Sequence, residues 1–331
     1  MRIFAFEFFS GGALLDQPLP PSLAREGDLM LGTLVGELAG IEGVHVIASR
    51  DPRLPPLAGC ETLYPLPGEN PEELFVRGVT AADAVWPTAP ESGGALGRLG
   101  ASVTAAGRTL LGCTPDAVRL AASKLATARA LAGRGVPVVP TCSAGDPVPS
   151  LPGPWVVKPD DGAGGDGLER LDDSAEAETR LRSASGRLVA QPWIEGEPWS
   201  LSLLCAGGRA RLLACNRQRL TWRAGRLHLD ALAVNARPPA NPRVHRLGAE
   251  VAAAIPGLWG YVGVDFLIGA DGPLVLEVNP RLTTSYCGLP AALGRNVAAM
   301  VLDLRRSGEL PAQRPWSGNV VELALQPEHA A

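Results

Sequence analysis

The sequence predicts an α/β domain followed by an α+β module. Three observations carry that prediction. Strand and helix patterns alternate over residues 1 to 112, a helical pair with cap chemistry begins near residue 114, and short apolar strands separated by glycine turns dominate from residue 188 onward. With 331 residues, 46% of them hydrophobic, the chain is long enough for two or three domains.

The first strand is Arg2-Ile3-Phe4-Ala5-Phe6-Glu7-Phe8-Phe9, broken by Ser10-Gly11-Gly12. A helix over Leu23 to Leu38 follows, with Leu23, Met30, Leu34 and Leu38 near one stripe, and Val44 to Ala48 resumes a strand. The Pro-rich stretch from Asp51 to Pro71 reads as loop, and Asp83 to Pro87 as a short strand. Ser10-Gly11-Gly12 is not a GxGxxG fingerprint, which argues against a dinucleotide-binding dehydrogenase.

Thr114 caps a helix whose first turn holds Pro115, and Ser123 caps a second running from Lys124 through Leu131. Val136 to Val139 is extended. Trp155-Val156-Val157-Lys158-Pro159 is a strand, and Asp160 to Gly167 forms a mobile glycine-rich turn able to cover a ligand. Leu188 to Ile194 ends a further strand at a hinge, and Trp199 to Cys205 pairs with Arg209 to Cys215 across Ala206-Gly207-Gly208. A helix over His245 to Ile255, strands over Tyr261 to Ile268 and Leu274 to Asn279, and a helix over Arg295 to Arg305 complete the pattern.

Composition removes several classes of function. Thirty basic against 34 acidic residues leave no broad positive field, so nucleic acid is not an expected partner. No stretch reaches the roughly 20 apolar residues that span a bilayer, and Met1-Arg2-Ile3-Phe4 runs into a strand without a cleavable leader, so no membrane association and a cytoplasmic location are expected. Six dispersed cysteines read as buried thiols, and four histidines show no zinc spacing. Lysine occurs at Lys124 and Lys158 alone, arginine supplying every other basic residue. A compact ammonium suits a phosphate oxygen differently from a planar fork.

Period-two alternation puts Glu277 and Asn279 on one face of their strand. If Ile268 pairs with Leu274 across a five-residue turn, Asp265 falls opposite Glu277, and three oxygen ligands converge. Two such carboxylates repel unless a cation such as Mg2+ lies between them and binds phosphate oxygens. A solvated hairpin rim is the competing reading of the same residues.

Ser123-Lys124, Val156-Val157-Lys158-Pro159 with its glycines, Gln191 to Glu197, Val262-Gly263-Val264-Asp265-Phe266 and Leu276-Glu277-Val278-Asn279-Pro280-Arg281 together resemble the ATP-grasp superfamily, specifically its carboxylate-amine ligases. The resemblance implies a pre-ATP-grasp α/β domain over 1–111, an ATP-grasp N-terminal subdomain with its lid over 112–190, and a C-terminal subdomain with the magnesium site over 191–331. It implies ATP with two Mg2+, Mn2+ substituting. Lys124 and Lys158 would contact phosphates, Gly162, Gly164 and Gly165 would lie in the lid, Gln191, Trp193 and Ile194 in the adenine hinge, and Glu197 would hold the ribose. Asp265, Glu277 and Asn279 would be the metal set. Lys158 and Arg281 would be catalytic, Arg281 stabilising an acyl phosphate.

The D-alanine–D-alanine ligases commonly carry an arginine two positions before the first metal acid, where this chain has Gly263. The fuller pattern is similar to tyramine–L-glutamate ligases of methanofuran biosynthesis, through Glu7-Phe8-Phe9-Ser10-Gly11-Gly12, Ala89-Pro90-Glu91, Cys215-Asn216-Arg217-Gln218-Arg219 and Asn279-Pro280-Arg281-Leu282-Thr283-Thr284. That likeness implies L-glutamate and tyramine as substrates, γ-glutamyltyramine as product, a homodimer, and Glu7, Ser10, Glu91, Arg217, Arg219 and Arg281 as substrate-positioning groups. Another amino-acid or peptide ligase and a nonenzymatic ATP-binding sensor stand as alternatives.

Overall fold

A computed structural model describes residues 1–162, 167–223, 226–237, 241–312 and 318–325. The chain begins with β1 (Arg2–Glu7), α1 (Pro21–Ala39), β2 (His45–Ser49), β3 (Glu61–Leu63), α2 (Pro71–Ala81), β4 (Ala84–Thr88), α3 (Ala95–Ala105) and β5 (Thr109–Leu110). The strands form one parallel sheet in the order β3-β2-β1-β4-β5. Its central strand is apolar on both sides because both are covered. Ile3 and Ala5 meet Leu31 and Leu34 of α1, while Phe4 and Phe6 meet Phe75 of α2. Strand order reverses beside β1, so its carboxyl end opens at a topological switch point, where α/β sheets commonly bind ligands.

Leu23, expected on the buried stripe of α1, is exposed; Ala24 and Gly27 take the buried positions of that turn. The loop expected over 51 to 71 contains β3 and ends where α2 begins. That helix was signalled by Asn70, whose side chain accepts from the Glu72 and Glu73 amides while Glu73 reaches back, a capping box reinforced by Pro71.

Next come α4 (Pro115–Ala122), α5 (Lys124–Ala132), β6 (Cys142–Ser143), β7 (Trp155–Pro159), β8 (Glu169–Leu171), α6 (Ser174–Ser183) and β9 (Leu188–Pro192). Both expected caps form, Thr114 accepting from the Ala117 amide at 3.3 Å and Ser123 from the Ala126 amide at 3.0 Å. The antiparallel sheet β6-β9-β7-β8 packs Trp155, Val157 and Ala190 on α6. By alternation Val156, Lys158 and Gln191 occupy the face opposite α6. Gln191 and Pro192 are the last residues of β9, so this sheet continues past the expected division at 190.

The remainder holds β10 (Glu197–Ala206), β11 (Arg209–Arg223), β12 (Arg226–Val234), α7 (Pro242–Ala254), β13 (Gly260–Gly269), β14 (Gly272–Asn279), α8 (Leu289–Leu293), α9 (Val297–Ser307) and β15 (Val321–Ala324). Its antiparallel sheet runs β14-β13-β10-β11-β12-β15. One face, with Leu201, Leu203, Val262 and Val264, is covered by α7 and also by α4 and α5. Those two helices therefore belong to the core of the C-terminal sheet although they precede β7 in the chain. The other face is apolar at Leu204 and Tyr261, where α9 packs, and turns polar toward Ser200 and Asp265.

The first domain is riveted to this body by Glu37 of α1. Its carboxylate accepts from the Val297 amide at 2.6 Å and from the Tyr286 hydroxyl, placing an anion at the N-terminus of α9. No helix among the described residues is long and apolar enough to cross a membrane.

Candidate active site

Asp265 does lie opposite Glu277, but by a different route from the one expected. The hairpin is tighter, pairing Leu267 with Leu274 and Gly269 with Gly272, and the register shifts by one residue between Asp265 and Phe266. The bulge at Leu276 restores the facing acids. Asn279 donates to Asp265 Oδ2 at 2.8 Å, and Gln218 donates to Oδ1 at 2.8 Å from β11.

Burial first, then the neighbouring Glu277, pushes the Asp265 carboxyl up to about 7, against the amides of Asn279 and Gln218. A carboxyl raised above its unfolded value stabilises the fold while protonated, and that contribution is lost as pH rises through about 7. Asp265→Asn should therefore flatten the decline in stability of the ligand-free protein between about pH 4 and the neutral range, read as the difference between wild-type and variant denaturant midpoints. Parallel curves would contradict the raised carboxyl.

Both lysines line the cleft that holds these acids. Asp160, buried at the end of β7, accepts from the Leu125 amide at 2.9 Å and the Ser123 hydroxyl at 2.8 Å, tying the start of α5 to β7. Expected to open a mobile turn, Asp160 is a fixed anchor at a helix N-terminus. Lys124, in the first turn of α5, is buried; its Nζ donates to the Gly162 carbonyl and lies 3.9 Å from Glu277 Oε2. Lys158 lies on the face of β7 opposite α6 and lines a cleft with Lys124, Gly162, Gln218, Asp265 and Glu277. Burial pushes its ammonium down to about 8, opposed by the attraction of Glu277 and assisted by Lys124.

Of the residues expected around a nucleotide base, Gln191 is buried and donates to the Thr141 hydroxyl at 2.8 Å. Trp193 donates from its indole to Glu195 at 2.7 Å, carries the Arg170 guanidinium 4.8 Å above its ring, and meets Trp222 edge-on at 6.4 Å. Ile194 lies against Gly269. Glu197 is exposed and shares its face of β10 with Trp199, whose indole donates to it at 3.2 Å. Gly162 lines the cleft, whereas Gly164 and Gly165 lie outside the described residues.

Arg281 sits beyond the hairpin against the first domain. Its Nε lies 2.9 Å from Glu91 Oε1 and its Nη2 donates to Glu91 Oε2 at 3.0 Å. Glu7, at the carboxyl end of β1, accepts from the Ser10 amide and hydroxyl, each at 2.7 Å. Burial raises its carboxyl, with the Ser10 bonds and Arg281 opposing. Glu26, not foreseen from the sequence, accepts from Thr284 at 3.2 Å and is likewise raised by burial against Arg281. Arg281 thus pairs directly with Glu91 and acts on the Glu7 and Glu26 carboxyls by charge alone.

Arg217 and Arg219 are exposed and alternate onto the opposite face of β11 from Gln218, away from Asp265; Arg217 lies 3.7 Å from Glu197 instead. Gln218, between them, was the inward residue, a distinction that strand alternation within Asn216-Arg217-Gln218-Arg219 signals. At Gly263 an added Cβ would stand 2.6 Å from Thr283 Cγ2, so this packing has no room for the arginine of the D-alanine ligases.

A parallel sheet opening at its switch point, and a cleft lined by two lysines and two facing acids, define an α/β protein with a charged candidate ligand site. A family model described as pre ATP-grasp 3 domain matches residues 44–118, and one described as ATP-grasp domain matches residues 121–285. The chain is 28% identical over 179 residues to a tyramine–L-glutamate ligase of Methanocaldococcus jannaschii, covering 54% of this chain and 49% of that one. The aligned part thus spans about half that relative's length. A tyramine–L-glutamate ligase of Methanocaldococcus fervens is 24% identical over 87% of this chain and 89% of its own. A probable alpha-L-glutamate ligase of Xanthomonas oryzae pv. oryzae is 31% identical over 70% of this chain and 82% of its own. Among solved structures, an ATP-grasp superfamily protein of Archaeoglobus fulgidus superposes with TM-score 0.71 at 23% identity, covering 98% of this chain and 100% of that one. The chain belongs to the ATP-grasp family.

Proposed function

We propose that the chain activates a substrate carboxylate with the γ-phosphoryl group of ATP and passes the acyl group to an amine, forming an amide with release of ADP and phosphate. The observation that carries this reading is the convergence of Lys124 and Lys158, from separate elements, on the Asp265–Glu277 pair. In this reading residues 1–111 serve the substrates, while 112–190 and 191–331 enclose the nucleotide.

The donor set fits a hard divalent cation: two facing carboxylates and the Asn279 amide offer oxygen atoms, and the acids repel in their ionised state. Among the described residues no group of three or more His, Cys, Asp or Glu side chains could hold a metal, so the carboxylate pair and amide are the set put forward. When bound there, Mg2+ supplies positive charge against the phosphate oxygens. Lys124 and Lys158 hold phosphates by point charge. Arg281 offers paired donors to the reacting carboxylate or acyl phosphate once Glu91 yields them. Glu91, paired with Arg281, and Glu7 and Glu26, whose carboxyls feel its charge, leave more acid than base in this region, which suits the ammonium group of an amino acid or amine.

For the substrates we put forward L-glutamate as the acid and tyramine as the amine, supported by the names of the Methanocaldococcus relatives. L-Glutamate is in the name of the Xanthomonas relative too, so a second reading keeps glutamate and changes its partner. Purified protein with Mg2+, ATP, L-glutamate and tyramine should yield ADP, phosphate and γ-glutamyltyramine, identified by mass. An amide with another amine would retain the ligase and discard tyramine; ADP release without any amide across an acid and amine panel would discard the acyl-transfer mechanism.

A further inference from the structure

Asp265 is held from two sides by neutral amides. Asn279, next to Glu277 on the same strand face, occupies Oδ2, and Gln218 occupies Oδ1. Gln218 does so across an intervening strand. In the order β13-β10-β11, Ser200 lies between them, paired with Asp265 on one side and with Asn216 on the other. Ser200 is small and buried, and its hydroxyl already accepts from Asn216 at 3.1 Å, so the longer glutamine passes above it. The β10–β11 ladder ends at Trp199–Arg217, one residue short of Gln218. The following β10 residue, Pro198, has no N–H to continue it.

A carboxylate with one hydrogen bond on each oxygen keeps a lone pair on each for a cation but loses its freedom to rotate. We propose that Gln218 is a positioning residue whose amide fixes the orientation in which Asp265 faces a divalent cation shared with Glu277. The proposal rests on the metal reading of Asp265 and Glu277, and concerns how that carboxylate is aimed. Gln218 also lines the cleft, together with Lys158.

The test uses the full-length protein with a non-hydrolysable ATP analogue, titrating Mn2+ by electron paramagnetic resonance and measuring analogue affinity without metal by calorimetry. Gln218→Met keeps the length and removes the donor; Gln218→Glu keeps shape and polarity but sets a like charge on Asp265. Loss of an outer hydrogen bond to a ligand typically weakens metal binding about 10- to 100-fold, and Gln218→Met should fall in that range, with Gln218→Glu weaker still. Metal-free analogue affinity of Gln218→Met should fall by less than its Mn2+ affinity. Mn2+ affinity within twofold of wild type in the folded variants overturns the proposal. Equal loss of metal-free analogue binding also overturns it, since a general packing role would do that. Should Gln218→Met fail to fold, Gln218→Glu alone decides. Wild-type protein that binds no Mn2+ in the presence of the analogue would instead remove the metal reading on which the proposal rests.

Discussion

Glu277→Gln should lower the rate of amide formation by about 1,000-fold while leaving the protein folded. A fixed charge aimed at a transferring phosphoryl group is typically worth a factor of about 100 to 1,000 each. Glu277 would act on the phosphates through two cations: it faces Asp265 across the hairpin, where a shared divalent ion would be held, and lies 3.9 Å from the Lys124 ammonium. Glutamine keeps its length and hydrogen-bonding capacity but can neither balance that ammonium nor share a cation. The substitution also withdraws the second-largest influence raising the Asp265 carboxyl, so Asp265 should titrate below about 7 in the variant. Turnover within tenfold of wild type would remove Glu277 from the phosphate chemistry. An unshifted Asp265, followed by NMR, would show that the two side chains do not feel one another.

Arg281→Met should abolish ligation and also destabilise the protein by about 3 kcal/mol, because it strips a buried carboxylate of its partner. Glu91 is held on both oxygens by Arg281, and both side chains are mostly buried. Glu7 and Glu26 lose their opposing positive charge in the same step. Adding Glu91→Gln to Arg281→Met should recover a large part of the lost stability without recovering activity. The fourth corner, Glu91→Gln alone, completes the cycle. Urea unfolding reads the stabilities, and product mass reads the activity. If the double variant were no more stable than Arg281→Met, the Arg281–Glu91 pair would not be the source of the loss.

The parts of the site that could be read from the chain are those set by neighbours in sequence. Thr114-Pro115 and Ser123 announced two helices, and the second put Lys124 in a first turn, because cap chemistry acts over three residues. Trp155 to Pro159 was legible as a strand, and alternation placed Lys158 away from the covered face. The hairpin register was legible in outcome but not in route: glycines at 269 and 272 make a tighter turn than expected, and a bulge restores the facing acids. Local pattern does not report a bulge, since it depends on what the partner strand offers.

Chemistry that depends on distant partners was less legible. Asp160 looked like turn composition, yet its carboxylate serves the amide of a residue 35 positions earlier. Gln218 was visible as a letter between two arginines, but its hydrogen bond to Asp265 needs a whole strand between them. Glu91 meets Arg281, and Glu26 meets Thr284, only because the first domain docks on the C-terminal one.

By itself, the sequence determined which residue types the chemistry has to work with, two lysines, a pair of strand acids and an arginine just beyond them, and the local elements that hold each one. Tertiary structure alone decided which of these face one another. It put α4 and α5 on the C-terminal sheet, turned Arg217 and Arg219 away from the acids, and paired Arg281 with Glu91 from 190 positions earlier. The reason is physical: propensity and capping act within a few residues, whereas the balance between burying a charge and pairing it is settled by groups brought together from across the chain.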